Sequence, residues 1–153
     1  MFRLLIVDDN PGDAELLWQL LRTLNGPHEA YFAIDGVDAL DFLYCRGPYA
    51  DAPLPNLILL DINMPRMNGH ELLARLKSDA ELSIIPVIML STSSSPNDIR
   101  RAYQLHVNCY VLKPTTLDRA QKLVQAVEAF WMDVAVLPPR EDLPRRLGAI
   151  VPG

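Results

Sequence analysis

Short uninterrupted apolar runs alternate along the chain with longer stretches in which apolar residues recur every three or four positions. Runs of the first kind suit strands buried on both faces, and stretches of the second suit helices packed through one face. Their alternation predicts a parallel sheet joined by crossover helices. The strands are predicted at Leu4 to Val7, Ala30 to Ile34, Leu57 to Leu60, Val87 to Leu90 and Tyr110 to Leu112, the second being the most mixed. Helices follow from about Asp13 to Leu24, Val37 to Leu43, Gly69 to Lys77, Asn97 to Leu105 and Leu117 to Val134. Leu17, Leu20, Leu21 and Leu24 give the first helix its apolar stripe, and Asn97 and Thr116 are placed to cap the fourth and fifth. The expected fold class is therefore α/β, a doubly wound five-stranded parallel sheet of flavodoxin-like (βα)5 type.

Two segments interrupt the alternation. Arg46 to Asn56 contains Gly47, Pro48, Pro53 and Pro55 and is predicted as an extended loop before the third strand. From Pro138 onward, Pro138, Pro139, Pro144 and Pro152 forbid continuation of the last helix. We therefore divide the chain into a domain over 1–134 and a proline-containing C-terminal tail or dimerisation arm over 135–153, too short for an effector domain.

Composition narrows the function classes. Half the residues are hydrophobic and 22% are charged, a globular balance rather than a disordered one. The apolar runs are far shorter than the ~20 residues a membrane span requires, so the expectation is a soluble, cytoplasmic protein. A net charge of -5 argues against a nucleic-acid surface and for protein partners. Cys45 and Cys109 have no C-x-x-C spacing, which excludes a zinc knuckle, and buried thiols are expected. His28, His70 and His106 also lack metal spacing.

Chemistry is expected at the carboxyl ends of the strands, where open parallel sheets bind ligands. There the sequence places Asp8-Asp9, Asp61, Ser91-Thr92 and Lys113-Pro114. A strand-end aspartate alone is usually a turn former or helix cap. Three carboxylates converging with one ammonium and one hydroxyl are a different matter. Their mutual repulsion calls for a cation, and Mg²⁺ suits a site with few protein ligands, several waters and a phosphate. Asp61 would be the nucleophile of aspartyl-phosphate chemistry, with Mg²⁺ and Lys113 neutralising phosphoryl oxygens and Ser91 donating a hydrogen bond.

The segments LLIVDD (4–9), LILLDINMPRMNG (57–69), PVIMLST (86–92) and CYVLKP (109–114) resemble the receiver domains of two-component response regulators, of the single-domain, chemotaxis-regulator-like kind. The resemblance spans about residues 1–134. It implies that Asp61 is the phosphoacceptor, that Asp9 binds Mg²⁺ directly and Asp8 largely through water, and that the backbone carbonyl of Asn63 is a further ligand. It implies also that Lys113 pairs with the phosphoryl group, that Ser91 and Tyr110 relay the change to the surface, and that the bond before Pro114 is cis. The Arg46 to Asn56 loop and the segment NDIRRAYQLHVNCYVLKP narrow the resemblance to the small regulators paired with bacterial phytochrome histidine kinases. Such a kinase is the implied phosphodonor. An intermediate phosphorelay carrier, or a phosphate sink for another sensor kinase, is the alternative.

Rival classes lack their signatures. A flavin or nucleotide enzyme of this architecture needs a phosphate-cradling loop after the first strand, where DDNPGD stands instead. An aspartyl phosphatase would carry Asp-x-Asp there. A DNA-binding regulator would need a helix-turn-helix after residue 134. The expectation is a signalling protein rather than an enzyme, with no membrane or nucleic-acid partner. The last helix carries Leu123, Val124, Val127, Phe130, Trp131 and Val134, more apolar residues than one core-facing stripe absorbs. Phe130 and Trp131 are therefore candidate contacts of a homodimer, which the tail residues Leu143, Leu147, Ile150 and Val151 would reinforce.

Overall fold

The structure, a computed structural model, describes residues 1–139. Strands β1 (Phe2–Val7), β2 (His28–Ala33), β3 (Leu57–Leu60), β4 (Val87–Ser91) and β5 (Cys109–Leu112) form one parallel sheet in the order β2-β1-β3-β4-β5. Helices α1 (Pro11–Leu21), α2 (Gly36–Leu43), α3 (Gly69–Ser78), α4 (Pro96–Gln104) and α5 (Leu117–Ala126) connect and follow them. Successive strand residues enter opposite layers. Leu5, Val7, Ile58, Leu60 and Met89 pack with α2, α3 and Ala102 of α4. Leu4, Ile6, Leu57, Leu59, Ile88 and Leu90 pack with α1 and α5. Because both faces are covered, the central strands contain almost no polar residue, and this is why they stood out as apolar runs.

The helix starts follow local chemistry. The Asn10 side chain accepts from the Gly12 and Asp13 amides, and Pro11 supplies a preset φ in the first turn, so α1 begins two residues before the expected Asp13. Asn68 and Glu71 form a reciprocal capping box at α3, and Thr116 caps α5 as expected. Helix α4 is entered through Ser95 and Pro96 rather than capped by Asn97, since Pro96 occupies the first turn.

The final helix departs from expectation. Regular α-helix ends at Ala126, and the chain continues as a wider π-helical segment over Val127–Val134. The wider winding lets Val127 stay buried and Trp131 pack back on the core, while Phe130 and Val134 face outward. Trp131 thus belongs mainly to its own domain, edge-on to Phe130 at 5.1 Å between ring centroids, and Phe130 is the exposed member of the pair. Leu143, Leu147, Ile150 and Val151, proposed above as an arm, lie outside the described residues. Among the described residues no helix is long and apolar enough to cross a membrane.

The bond before Pro114 is a second correction: it is trans, and no described peptide bond is cis. Trans is the intrinsically preferred isomer by about 0.5–1 kcal/mol. With it the Lys113 amide still donates to the Ser91 carbonyl at 2.8 Å, extending the β4–β5 ladder by one residue.

Candidate functional site

In the strand order β2-β1-β3 the connections leave the sheet in opposite directions on either side of β1, which opens a crevice between the carboxyl ends of β1 and β3. Asp8 and Asp61 stand on its two lips. Val7 and Leu60 are the last paired residues, and the ladder runs one step further through the Asp61 amide to the Val7 carbonyl (2.9 Å) and the Asp8 amide to the Ala33 carbonyl (3.0 Å). Their backbones are thereby held as rigidly as the sheet. Asp8, Asp9 and Asp61 each offer a carboxylate oxygen, all within 4.8 Å of one another. Asp8 and Asp61 are buried, and Asp9 faces solvent.

Lys113, at the end of β5, reaches across to this cluster. Its ammonium lies 2.9 Å from Asp8 Oδ2, 2.9 Å from Asp13 Oδ2 on α1 and 3.4 Å from Asp61 Oδ2. Burial works against its charge, but Asp13 and Asp8, with Asp61 behind them, more than compensate and hold its pKa above the ordinary lysine value. The pKa of Asp61 is raised as well, but for a carboxyl this favours the neutral form. Burial raises its carboxyl above the usual range, Lys113 opposes the rise, and the nearby Asp8 charge adds to it. Asp61 Oδ1 also accepts from the Ile62 amide at 2.8 Å, so one oxygen is fixed by the backbone and the other faces Lys113.

Three carboxylates against one shared ammonium form an all-oxygen donor set with excess negative charge, and this fits a hard divalent cation. Asn63 lies exposed in the loop between β3 and α3, two residues past Asp61. Ser91 is fully buried at the end of β4, and its Oγ accepts from the Ser93 amide at 3.1 Å. The hydroxyl of half-buried Tyr110 donates to the Ser93 carbonyl at 2.7 Å. Ser91 and Tyr110 thus meet through a single residue. A small, largely apolar pocket, open to solvent, runs alongside and is lined by Asp13, Leu16, Leu17, Leu90, Lys113 and Pro114.

The family model described as the response regulator receiver domain matches residues 4–128. The chain belongs to the response regulator receiver family. This receiver is 42% identical over 135 residues to the response regulator Rcp1 of Synechocystis sp. (strain ATCC 27184 / PCC 6803 / Kazusa), covering 88% of the chain and 92% of Rcp1. It superposes on the crystal structure of the Mn(2+)-bound form of Rcp1 with a TM-score of 0.85 at 40% identity, over 91% of this chain and 100% of that one. The phosphorylated cyanobacterial phytochrome response regulator RcpA gives a TM-score of 0.85 at 42% identity, over 90% and 99% of the two chains. The receiver is thus homologous to the phytochrome response regulators.

Three residues in or beside the site, Asp13, Asp35 and Arg66, carry no sequence signature of their role. Asp13 looks like an ordinary acid in the first turn of a helix, favourable there for its dipole, and only the fold brings it to Lys113. Asp35 and Arg66 are joined beside the Asn63 loop, and no spacing rule connects them. An aspartate followed by Gly36 at the end of a strand was the one available signal for Asp35.

Proposed function

We propose that the chain is a phosphorylation switch whose phosphoacceptor is Asp61, loaded from a histidine kinase of the bacterial phytochrome class in the presence of Mg²⁺ and read out by protein contact. The observation that carries this reading is the buried Asp61, with one carboxylate oxygen free of the backbone, set among Asp8, Asp9 and the Lys113 ammonium. Asp61 attacks the phosphorus of a phosphohistidine; the P–N bond breaks, a P–O bond to the carboxylate forms, and the imidazole leaves with its electron pair. Asp8, Asp9, Asp61 and the Asn63 carbonyl would hold the cation, which when bound supplies neutralising charge to the phosphoryl oxygens. The similarity to Rcp1 and to RcpA supports both the metal and the class of kinase.

Lys113 faces the side of Asp61 that would receive the group and would pair with it. Ser91 Oγ accepts from the Ser93 amide and so keeps its own O–H to donate to a phosphoryl oxygen, while the Ser93 carbonyl holds the Tyr110 hydroxyl. That shared residue is a short physical path from the phosphorylation site to the α4–β5 surface. Dimerisation through the exposed Phe130 side of the last helix belongs to the same proposal.

Acetyl phosphate with Mg²⁺ tests the assignment without a kinase. Mass spectrometry should find one added phosphoryl group on the wild type, none on Asp61→Ala and none with chelator. Undiminished labelling of Asp61→Ala would overturn it.

A further inference from the structure

The loop between Asp61 and α3 is gripped from two sides. At its root the Gly69 amide donates to the Ile62 carbonyl at 2.8 Å, and a Cβ at Gly69 would fall 2.1 Å from the Asp61 carbonyl oxygen. At its crest the Gly36 amide, the first of α2, donates to the Met67 carbonyl at 3.1 Å. A Cβ at Gly36 would lie 2.6 Å from Met67 Cγ. Between these two points sits Arg66, with φ of 64°, in the left-handed region that disfavours any residue bearing a Cβ.

The Arg66 side chain accompanies this strain. Its Nε donates to Asp35 Oδ2 at 2.6 Å and its Nη2 to Asp35 Oδ1 at 3.0 Å, a two-point contact that fixes orientation as well as distance. Asp35 is 1% exposed, and its Oδ1 also caps α2 through the Asp38 amide at 2.8 Å. The anchoring carboxylate therefore cannot move without disturbing the start of α2. Glycine would adopt this φ freely, yet the chain places here a side chain long enough to reach back to the cap of α2.

We propose that Arg66 and Asp35 are positioning residues that clamp residues 62–67 in the conformation presenting the Asn63 carbonyl to the cation, without touching the cation themselves. The inference rests on the proposed metal site. A loop ordered before binding does not have to be ordered by it, and removing outer support of this kind typically weakens metal binding by roughly 10–100-fold.

Electron paramagnetic resonance of free Mn²⁺ titrated with the full chain is the test, with urea unfolding in chelator as the control for folding. Arg66→Ala and Asp35→Asn, which keeps the cap acceptor, should each weaken Mn²⁺ binding roughly ten-fold. Their combination should be no weaker than either alone, because both remove one contact. Arg66→Lys should fall between. Arg66→Gly decides between the clamp and the backbone: it relieves the strain but removes the clamp, and should bind as weakly as Arg66→Ala. Wild-type affinity in Arg66→Ala, full affinity in Arg66→Gly, or additive losses in the double variant would overturn the clamp and leave the metal site standing. Failure of the wild type itself to bind Mn²⁺ would instead overturn the metal site.

Discussion

Lys113 and Asp13, one hundred residues apart in sequence, are joined by a 2.9 Å ion pair that ties the end of β5 to the first turn of α1. Asp61 lies further from the same ammonium, at 3.4 Å. Asp13 therefore competes with Asp61 for the lysine before any phosphoryl group arrives. Because its side chain is 43% exposed, the pair contributes no more than about 1 kcal/mol. Asp13→Asn should release Lys113 toward Asp61 and raise the phosphorylated fraction at limiting acetyl phosphate by up to about five-fold. A fraction equal to or below that of the wild type, read by phosphate-affinity electrophoresis, would refute the competition.

Removing the lysine itself separates its role from that of the metal. Lys113→Ala leaves Asp8 and Asp61 buried with no counter-ion, and breaking a buried pair in this way costs on the order of 3 kcal/mol. Urea unfolding in chelator should show that loss. Added Mg²⁺ should stabilise Lys113→Ala more than it does the wild type, since a cation replaces the missing charge. Ser91→Ala should also keep Mg²⁺ binding, its hydroxyl being engaged with Ser93. Loss of Mg²⁺ binding in either variant would show that these residues serve the metal rather than the phosphoryl group.

The raised pKa of Asp61 fixes the sign of a pH effect. Between the unfolded value near 3.8 and the raised folded value, the native state binds the extra proton, so the contribution of Asp61 to stability falls as pH rises. Above the folded pKa the full burden of a buried charged carboxylate remains. In chelator, Asp61→Asn should therefore be more stable than the wild type at neutral pH, with the difference shrinking as the solution is acidified toward that lower bound. Denaturation midpoints across this range provide the check, and a difference independent of pH would contradict the assignment.

The two tight glycines differ from the exposed ones in a measurable way. At Gly69 the obstacle is backbone, the Asp61 carbonyl, which cannot rotate away as a flexible side chain can. Gly69→Ala should destabilise by at least the ~1–3 kcal/mol of ordinary overpacking and displace Asp61 as it does so. Gly12→Ala meets only Asn10 Oδ1 at 3.3 Å and should be mild. Equal denaturation midpoints for the two variants would contradict this reading.

What could be read from the sequence follows from how each feature is encoded. The central strands were legible because burial on both faces removes polar residues from them. Strand β2 was blurred because it lies at the sheet edge, where Phe32 is partly exposed and Ile34, included in the expected strand, lies beyond its end. Asp8, Asp9, Asp61, Ser91 and Lys113 were legible because a parallel sheet delivers strand ends to one edge. Asp13, Asp35 and Arg66 were not, since each looks like a solvated charge until the helices are placed. The π-helical segment has no periodic signature of its own, and the apolar surplus over 127–134 was visible while its cause was not. The isomer before Pro114 is not encoded in the neighbouring residues, since an X-Pro bond admits both forms at small cost.

The π-helical segment Val127–Val134 also carries the surface suited to assembly. Val127 is buried and Trp131 packs on the core beside α1 and α5, while Phe130 and Val134 stand 52% and 67% exposed on the other side. A turn of helix with large apolar groups on both sides is suited to contact with a second copy, and two-fold symmetry would repeat the contact. The chain should therefore be dimeric at micromolar concentration even without phosphate. Phe130→Glu should dissociate the dimer while lowering stability to urea by only about 1 kcal/mol, because the contact of Phe130 with its own domain is its edge-on packing against Trp131. Trp131→Ala should do the opposite first, lowering stability, because Trp131 is part of that core. Deleting residues 138–153 should weaken the dimer if Leu143, Leu147, Ile150 and Val151 reach the partner. Sedimentation equilibrium decides each case: a wild-type monomer at these concentrations, with and without acetyl phosphate, would dispose of the dimer, and a dimer indifferent to the deletion would dispose of the arm alone.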